Sequence, residues 1–177
     1  MSSEVVKLLL VSDTHWNHSK SIPQSLLDKV GWCDQILHAG DWTGADVYQT
    51  LSGLKPVTGA RGNCDFGFLK EVLPTLAVIE IQGVRIGVIH GWGAPDGIVR
   101  RILPEVEGRL LDVVVYGHSH KPDVRGMGGM LFVNPGSAGN PRFTTHPTCA
   151  TMLVTPEGIE APEMHELKVE SNRWSST

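Results

Sequence analysis

Five apolar runs of this chain each stop at a side chain that carries an oxygen or nitrogen lone pair. "KLLLVSD" ends at Asp13, with His15 two places on. "QILHAGD" ends at Asp41, "PVTGARGN" at Asn63 and "VRIGVIH" at His90, while "DVVVYGHSH" runs into His118 and His120. The runs are short and rich in Val, Ile and Leu, which suits strands covered on both faces. In open α/β sheets the carboxyl ends of strands converge on one crevice. The chain is therefore constrained to a fold that gathers five such endings. Gly40, Gly62, Gly91 and Gly117 sit against them and let the backbone turn tightly or approach closely.

The segments between the runs fit that fold. "SIPQSLLDKVGW" reads as a short helix, with Ser21 as cap, Pro23 in the first turn and Gly31 at the end. "GADVYQTLSGL" puts Val47, Leu51 and Leu54 on one helical face. "APDGIVRRIL" reads as a helix that Pro104 breaks, leaving "EVEGRL" as a connector. Hairpins are expected around Gln82-Gly83, around Gly126 to Gly129, and at Pro156-Glu157-Gly158. The polar end from about Ser171 is expected to fray. Alternating strand and helix in the first part implies parallel pairing, and hairpins dominate the second. The expectation is an α/β fold, one domain over residues 1–177, with two mixed β-sheets packed as a sandwich and helices flanking them.

Composition excludes several classes of function. At 177 residues, 41% apolar and 19% charged, the chain has the make-up of a soluble globular domain. A net charge of −4 does not supply the basic field that extended nucleic acid or an anionic membrane requires. The apolar start, Val5 to Val11, contains Lys7 and is too short for a signal sequence or a membrane span, so a cytoplasmic location is expected. Cys33, Cys64 and Cys149 are odd in number and widely spaced, forming neither a disulfide framework nor a CxxC zinc site.

Two aspartates, one asparagine and four histidines exceed the needs of a single metal ion. They suit two divalent ions that share a bridging carboxylate, a device for phosphoryl chemistry with ions about 3.5–4 Å apart. Mixed oxygen and imidazole donors favour Mn, Fe, Co, Ni or Zn over Mg or Ca. Any one motif alone reads as a turn or a surface histidine; the joint placement at five strand ends carries the weight. His38 lies inside a run and reads as a core histidine. His18, His146 and His165 default to the surface, with His18 and His146 as rim candidates.

"SDTH", "GD", "RGNCD", "HG" and "GHSH", in this order, resemble the signature of the calcineurin-like metallophosphoesterases. The "GNCD" form and the later "NPGSAGNPR" resemble the small single-domain prokaryotic phosphodiesterase branch, and the match runs from about Lys7 to Arg142. The resemblance implies a two-sheet sandwich with metals at its top edge. It implies one metal on Asp13, His15, Asp41 and His120, and a second on Asp41, Asn63, His90 and His118, with Asp41 bridging. It also implies in-line attack on a phosphodiester by a hydroxide held between the ions, Mn being the leading metal.

The sequence departs from that family at two places. Cys64 stands where many members have a histidine that protonates the leaving group. It reads here as a small packing residue, which disfavours poor leaving groups and the phosphomonoesterase alternative. Asp65 then has no histidine to orient and reads as structural, holding a loop or pairing with Arg61. Trp92 follows His90-Gly91 where related sequences often read His-Gly-His. With Trp16 and Trp42 it is a candidate wall for the substrate's organic group, packing being the alternative for each. A non-catalytic scaffold on the same fold, as in the retromer subunit, is the competing class, and all seven donors remaining able to bind metal favours the enzyme. The expected partners are a small phosphodiester and, through exposed hairpin edges, a second copy in a homodimer or homotetramer.

Overall fold

The first apolar run forms β1 (Val6–Val11), whose side chains alternate between two cores. Leu8 and Leu10 enter one and Leu9 and Val11 the other, all fully buried. A strand covered on both faces has no solvent side for a polar residue, so polar groups collect at its end. The computed structural model describes residues 4–169 and places β1 inside a six-stranded sheet. β2 (Gln35–His38) and β3 (Val57–Gly59) continue from it in parallel. On the other side β9 (Thr148–Thr155) pairs antiparallel. β10 (Gly158–Ile159) and β11 (Glu163–Glu166) both line the outer edge of β9.

The second sheet has the order β4 (Leu76–Ile81), β5 (Val84–Ile89), β6 (Val113–Tyr116), β8 (Met130–Asn134), β7 (Asp123–Met127). Its three inner strands are parallel, and each edge strand is the antiparallel arm of a hairpin. Gln82-Gly83 and Gly128-Gly129 make the two turns with positive φ at all four residues, as tight two-residue hairpins need.

The layers follow from the alternation. Leu8, Leu10 and Leu37 of the first sheet meet Ile86, Val88 and Val115 of the second. Outside the first sheet lie α1 (Gln24–Trp32) and α2 (Ala45–Leu54), docked through Leu26, Val30, Val47 and Leu51. Outside the second lies α4 (Ile98–Val106), docked through Ile98, Val99, Ile102 and Val106. Two mixed sheets packed face to face with flanking helices are thus observed, as expected.

Local details depart from the sequence reading. α1 starts after Pro23, with Ser21 ending a short 3₁₀ turn (Ser19–Ser21) rather than capping the helix. Pro104 does not break α4. It sits on the exposed side of the last turns, where the hydrogen bond it denies the Arg100 carbonyl is replaced by solvent, so the helix runs on through Glu105 and Val106. A five-residue helix, α3 (Phe68–Val72), was not anticipated. His165 is half-buried rather than on the surface, with its ring against Thr151 Oγ1 at 2.7 Å and Lys29 Nζ at 3.3 Å. The segment from Ser171 lies outside the described residues. Among the described residues no helix is long and apolar enough to cross a membrane.

Candidate metal centre

All seven strand-end residues meet at one edge of the sandwich. The loops that carry them are laced together beyond the last strand pairs. Asp13 N donates to Gly40 O at 2.9 Å, His15 N to Asp41 O at 3.1 Å and Gly117 N to His90 O at 3.1 Å. Two glycines make the approach possible. A Cβ at Gly62 would strike the Asp41 carboxylate, and one at Gly117 would strike the Ser12 hydroxyl and lie 2.7 Å from Asp13 Oδ2.

The donors form two groups around Asp41. In the first, Asp13 Oδ1 lies 3.2 Å from His120 Nε2 and 3.8 Å from His15 Nε2, and the two imidazole nitrogens are 3.2 Å apart. In the second, Asn63 Oδ1 lies 3.1 Å from His90 Nε2 and 3.0 Å from His118 Nδ1, which are 3.2 Å from each other. Asp41 Oδ2 spans them, 3.6 Å from His15 Nε2 and 3.4 Å from His90 Nε2. Donors held about 2.0–2.2 Å from a common ion stand about 3.0–3.6 Å apart, so most of these separations are those of coordination edges.

The protons argue the same way. Three imidazoles face a backbone carbonyl with their outer nitrogen: His90 Nδ1 toward Ala39 O at 2.7 Å, His118 Nε2 toward Gly93 O at 2.9 Å and His120 Nδ1 toward Asn140 O at 2.5 Å. Each outer nitrogen is thus placed to donate its N–H, so that the ring, once neutral, presents a lone pair inward, the arrangement of metal-binding histidines. His118 is held neutral, since burial and the neighbouring His90 lower its pKa. Asp13 Oδ1 is fully buried and accepts no hydrogen bond. Burial opposes charge on Asp13, yet His120 and His15, when they carry protons, hold its carboxyl well below the usual range, so it is an anion. Buried acceptors facing acceptors are costly unless positive charge lies among them. Protons on the imidazoles or metal cations between the donors are the two remedies, and the donor set suits divalent ions. Buried trios that could hold an ion include Asp13, His15 and His120, and Asp13, Asp41 and His90.

A second tier of residues fixes the donors. Asp65 accepts from the backbone N–H of Gly62 at 2.7 Å, Thr43 at 2.9 Å and Asp41 at 3.0 Å. It thus holds the loop that presents Asp41; Arg61 does not pair with it and instead donates to Lys70 O. Ser12 Oγ and His118 N fix Asp13 Oδ2 at 2.6 and 3.0 Å. The "NPGS" segment contributes Asn134, which donates to Gly117 O and Ser119 Oγ, and Ser137, which donates to Asp13 O. Their support of the site was not read from the sequence; polar residues directly after the apolar run of β8 were the available signal.

Cys64 is not a packing residue. Its backbone N–H donates to Asp41 Oδ1 at 2.8 Å, which turns its thiol toward His15 and Asp41 as a further potential donor. Burial and the Asp41 carboxylate push the thiol up to about 11, so it is protonated near neutrality. His38 is a core histidine as expected, stacked 3.5 Å from Trp42 and held neutral by burial, with its pKa down at about 3. Trp42 is fully buried with Nε1 bonded to Ala60 O, so it cannot touch a substrate. Trp16 is half-buried against the α1–α2 core, whereas Trp92 is 43% exposed beside the donors. His18 and His146 are exposed.

Residues 6–157 match the family model described as the calcineurin-like phosphoesterase superfamily domain. A probable metallophosphoesterase of Methanothermobacter thermautotrophicus is 33% identical over 153 residues, 86% of this chain and 88% of the relative. Among solved structures, a novel archaeal phosphodiesterase is similar with a TM-score of 0.71 at 22% identity, covering 92% of this chain and 100% of that one. Vps29 of Chaetomium thermophilum has the same TM-score and identity, covering 96% of this chain and 100% of its own. At such identities these two structures share the fold.

Proposed function

Given that the chain belongs to the calcineurin-like phosphoesterase superfamily, we propose that it is a hydrolase of phosphate diesters that works with two divalent metal ions, manganese first among them. The observation that carries this reading is the pair of donor groups that share Asp41, with their oxygen and imidazole nitrogen atoms converging at coordination-edge separations. Asp13, His15, Asp41 and His120 are assigned to one ion, and Asp41, Asn63, His90 and His118 to the other. Bound there, the ions supply a nucleophile at neutral pH and neutralise charge on the phosphate.

The protein's own groups do the rest. The carbonyls of Ala39, Gly93 and Asn140 fix three imidazoles in the tautomer that faces inward. Asp65 accepts from the backbone N–H groups of Asp41 and Gly62 and so preorganises the bridge for the charge that develops on the phosphate. Cys64 stands beside the reacting region as a neutral thiol, too weak an acid to protonate an alkoxide efficiently, so esters with good leaving groups are favoured.

The test is hydrolysis of bis(p-nitrophenyl) phosphate and p-nitrophenyl phosphate with and without Mn²⁺, alongside elemental analysis. The expected result is two ions per chain and faster turnover of the diester. Two bound ions with no turnover of either ester would favour the scaffold class instead, and a single ion would overturn the dinuclear assignment.

A further inference from the structure

Beside Asn63 and His90 the surface opens into a cavity of about 440 Å³ whose lining includes Trp92, Arg61 and Arg109. The volume is in the range of sites for nucleotide-sized ligands. Three features of its lining go beyond what hydrolysis of a simple diester needs. Trp92 lines the cavity and is 43% exposed, while Trp42, the aromatic after Asp41, is buried. Arg61 spends one guanidinium nitrogen on Lys70 O at 2.9 Å. Arg109 spends Nε on Glu105 O at 2.8 Å. Each guanidinium keeps further N–H donors, and Arg is the side chain whose planar fork matches a phosphate. Glu105 is the carboxylate in the lining, so the two guanidiniums leave the cavity with positive charge in a chain whose net charge is −4.

We propose that this cavity is a subsite for a nucleotide arm of the substrate: a flat base against Trp92 and a second phosphate on Arg61 and Arg109. The inference rests on the phosphodiesterase reading for the placement of the first phosphate at the metal donors. The lining defines the ligand. Asn63 and His90, metal donors in that reading, line the same cavity as the two arginines, so one ligand can present a phosphate to each pair. The substrate class is therefore a diester that carries a phosphorylated nucleoside as one of its two groups.

Equilibrium binding to the Mn²⁺-loaded protein tests this without turnover, using inorganic phosphate, adenosine 5′-monophosphate and adenosine 3′,5′-bisphosphate as probes. The monophosphate is expected to bind at least about fivefold more tightly than inorganic phosphate through stacking, and the bisphosphate at least about tenfold more tightly than the monophosphate through charge-assisted bonds. Trp92→Leu should collapse the first ratio. Arg61→Gln with Arg109→Gln should collapse the second, and the double Lys variant should restore it in part. Metal content and melting temperature, measured on each variant, show whether the substitutions leave the centre intact. Equal affinities for the three probes in the unaltered protein, or ratios that survive the substitutions, would overturn the subsite. Failure to hydrolyse bis(p-nitrophenyl) phosphate would overturn the phosphodiesterase reading alone, because the binding ratios are read independently of catalysis.

Discussion

The two sheets contribute to the centre in different chemical currencies. The first delivers Asp13, Asp41 and Asn63 with a single imidazole, His15, from the ends of β1, β2 and β3. The second delivers His90, His118 and His120 from β5 and β6. Their supports are complementary. Carboxylates of the first sheet are held by donors: Ser12 Oγ and His118 N on Asp13, and Cys64 N on Asp41. Imidazoles of the second are held by acceptors, the carbonyls of Ala39, Gly93 and Asn140. A main chain supplies both kinds of group at every residue, so one backbone fixes anions with its N–H and neutral bases with its C=O. The centre is thus split into a half that brings negative charge and a half that brings neutral lone pairs, with Asp41 reaching across.

The largest expected effect comes from removing that bridge. Asp41→Ala should strip both ions and lower kcat/KM by more than about 100-fold, beyond the loss typical of an outer partner, whereas His15→Ala should empty chiefly one site. Elemental analysis of the two variants checks the difference. If Asp41→Ala keeps one ion at full occupancy, the halves are independent and the carboxylate does not join them.

Asp65→Ala comes next, since it removes the acceptor of three backbone N–H groups without touching a donor atom. Metal affinity should fall by about 10–100-fold and the metal-free chain should lose about 1–3 kcal/mol of stability, read from Mn²⁺ titration and chemical denaturation. Intact affinity would show that the first sheet's half does not depend on its donors.

The second half should announce itself through pH. Burial lowers the pKa of His90, but Asp41 and Asp13 outweigh it and raise it from the ordinary histidine value. In the metal-free chain, protonated His90 therefore adds stability that is present below its unfolded pKa and lost as pH rises through the folded one. Metal must displace that proton, so Mn²⁺ affinity should begin to fall above the ordinary histidine pKa as the solution is acidified. Calorimetric titration in buffers of different ionisation enthalpy counts the proton released; no release would remove His90 from the metal's ligands.

The smallest effect is expected at Cys64. Cys64→His should speed poor leaving groups more than good ones, by less than the about 10²–10⁴-fold of well-placed general acids. A leaving-group series on both proteins measures it, and parallel dependences on leaving-group pKa would mean that this position does not handle the proton.

The strand-end donors were legible because burial on both faces leaves polar side chains nowhere else to go, as Leu8 to Val11 followed by Asp13 shows. What supports them was not. Asp65 looked free to pair with Arg61 because its true partners are backbone N–H groups, which carry no residue-specific signal. Cys64 was misread for a related reason: the direction of a short side chain depends on one loop hydrogen bond to Asp41, not on residue type. Pro104 reads as a breaker because a sequence does not reveal that Arg100 and Pro104 lie on the exposed side of α4, where a lost bond costs little.

The left-handed backbone at the centre has a bearing on how this chain would evolve or be engineered. Asp13, His15, Asp41, His118 and His120 all hold φ between 48° and 69°. Among residues with a side chain, Asp and His enter that region more readily than most, yet each still costs of order 1 kcal/mol or more. Glycine would sit there free of that cost. A library screened only for heat resistance would therefore drift toward glycine at these five positions and yield a hardier, metal-blind protein. A screen that retains metal binding has to seek its stability elsewhere, in the helices and the sheet edges.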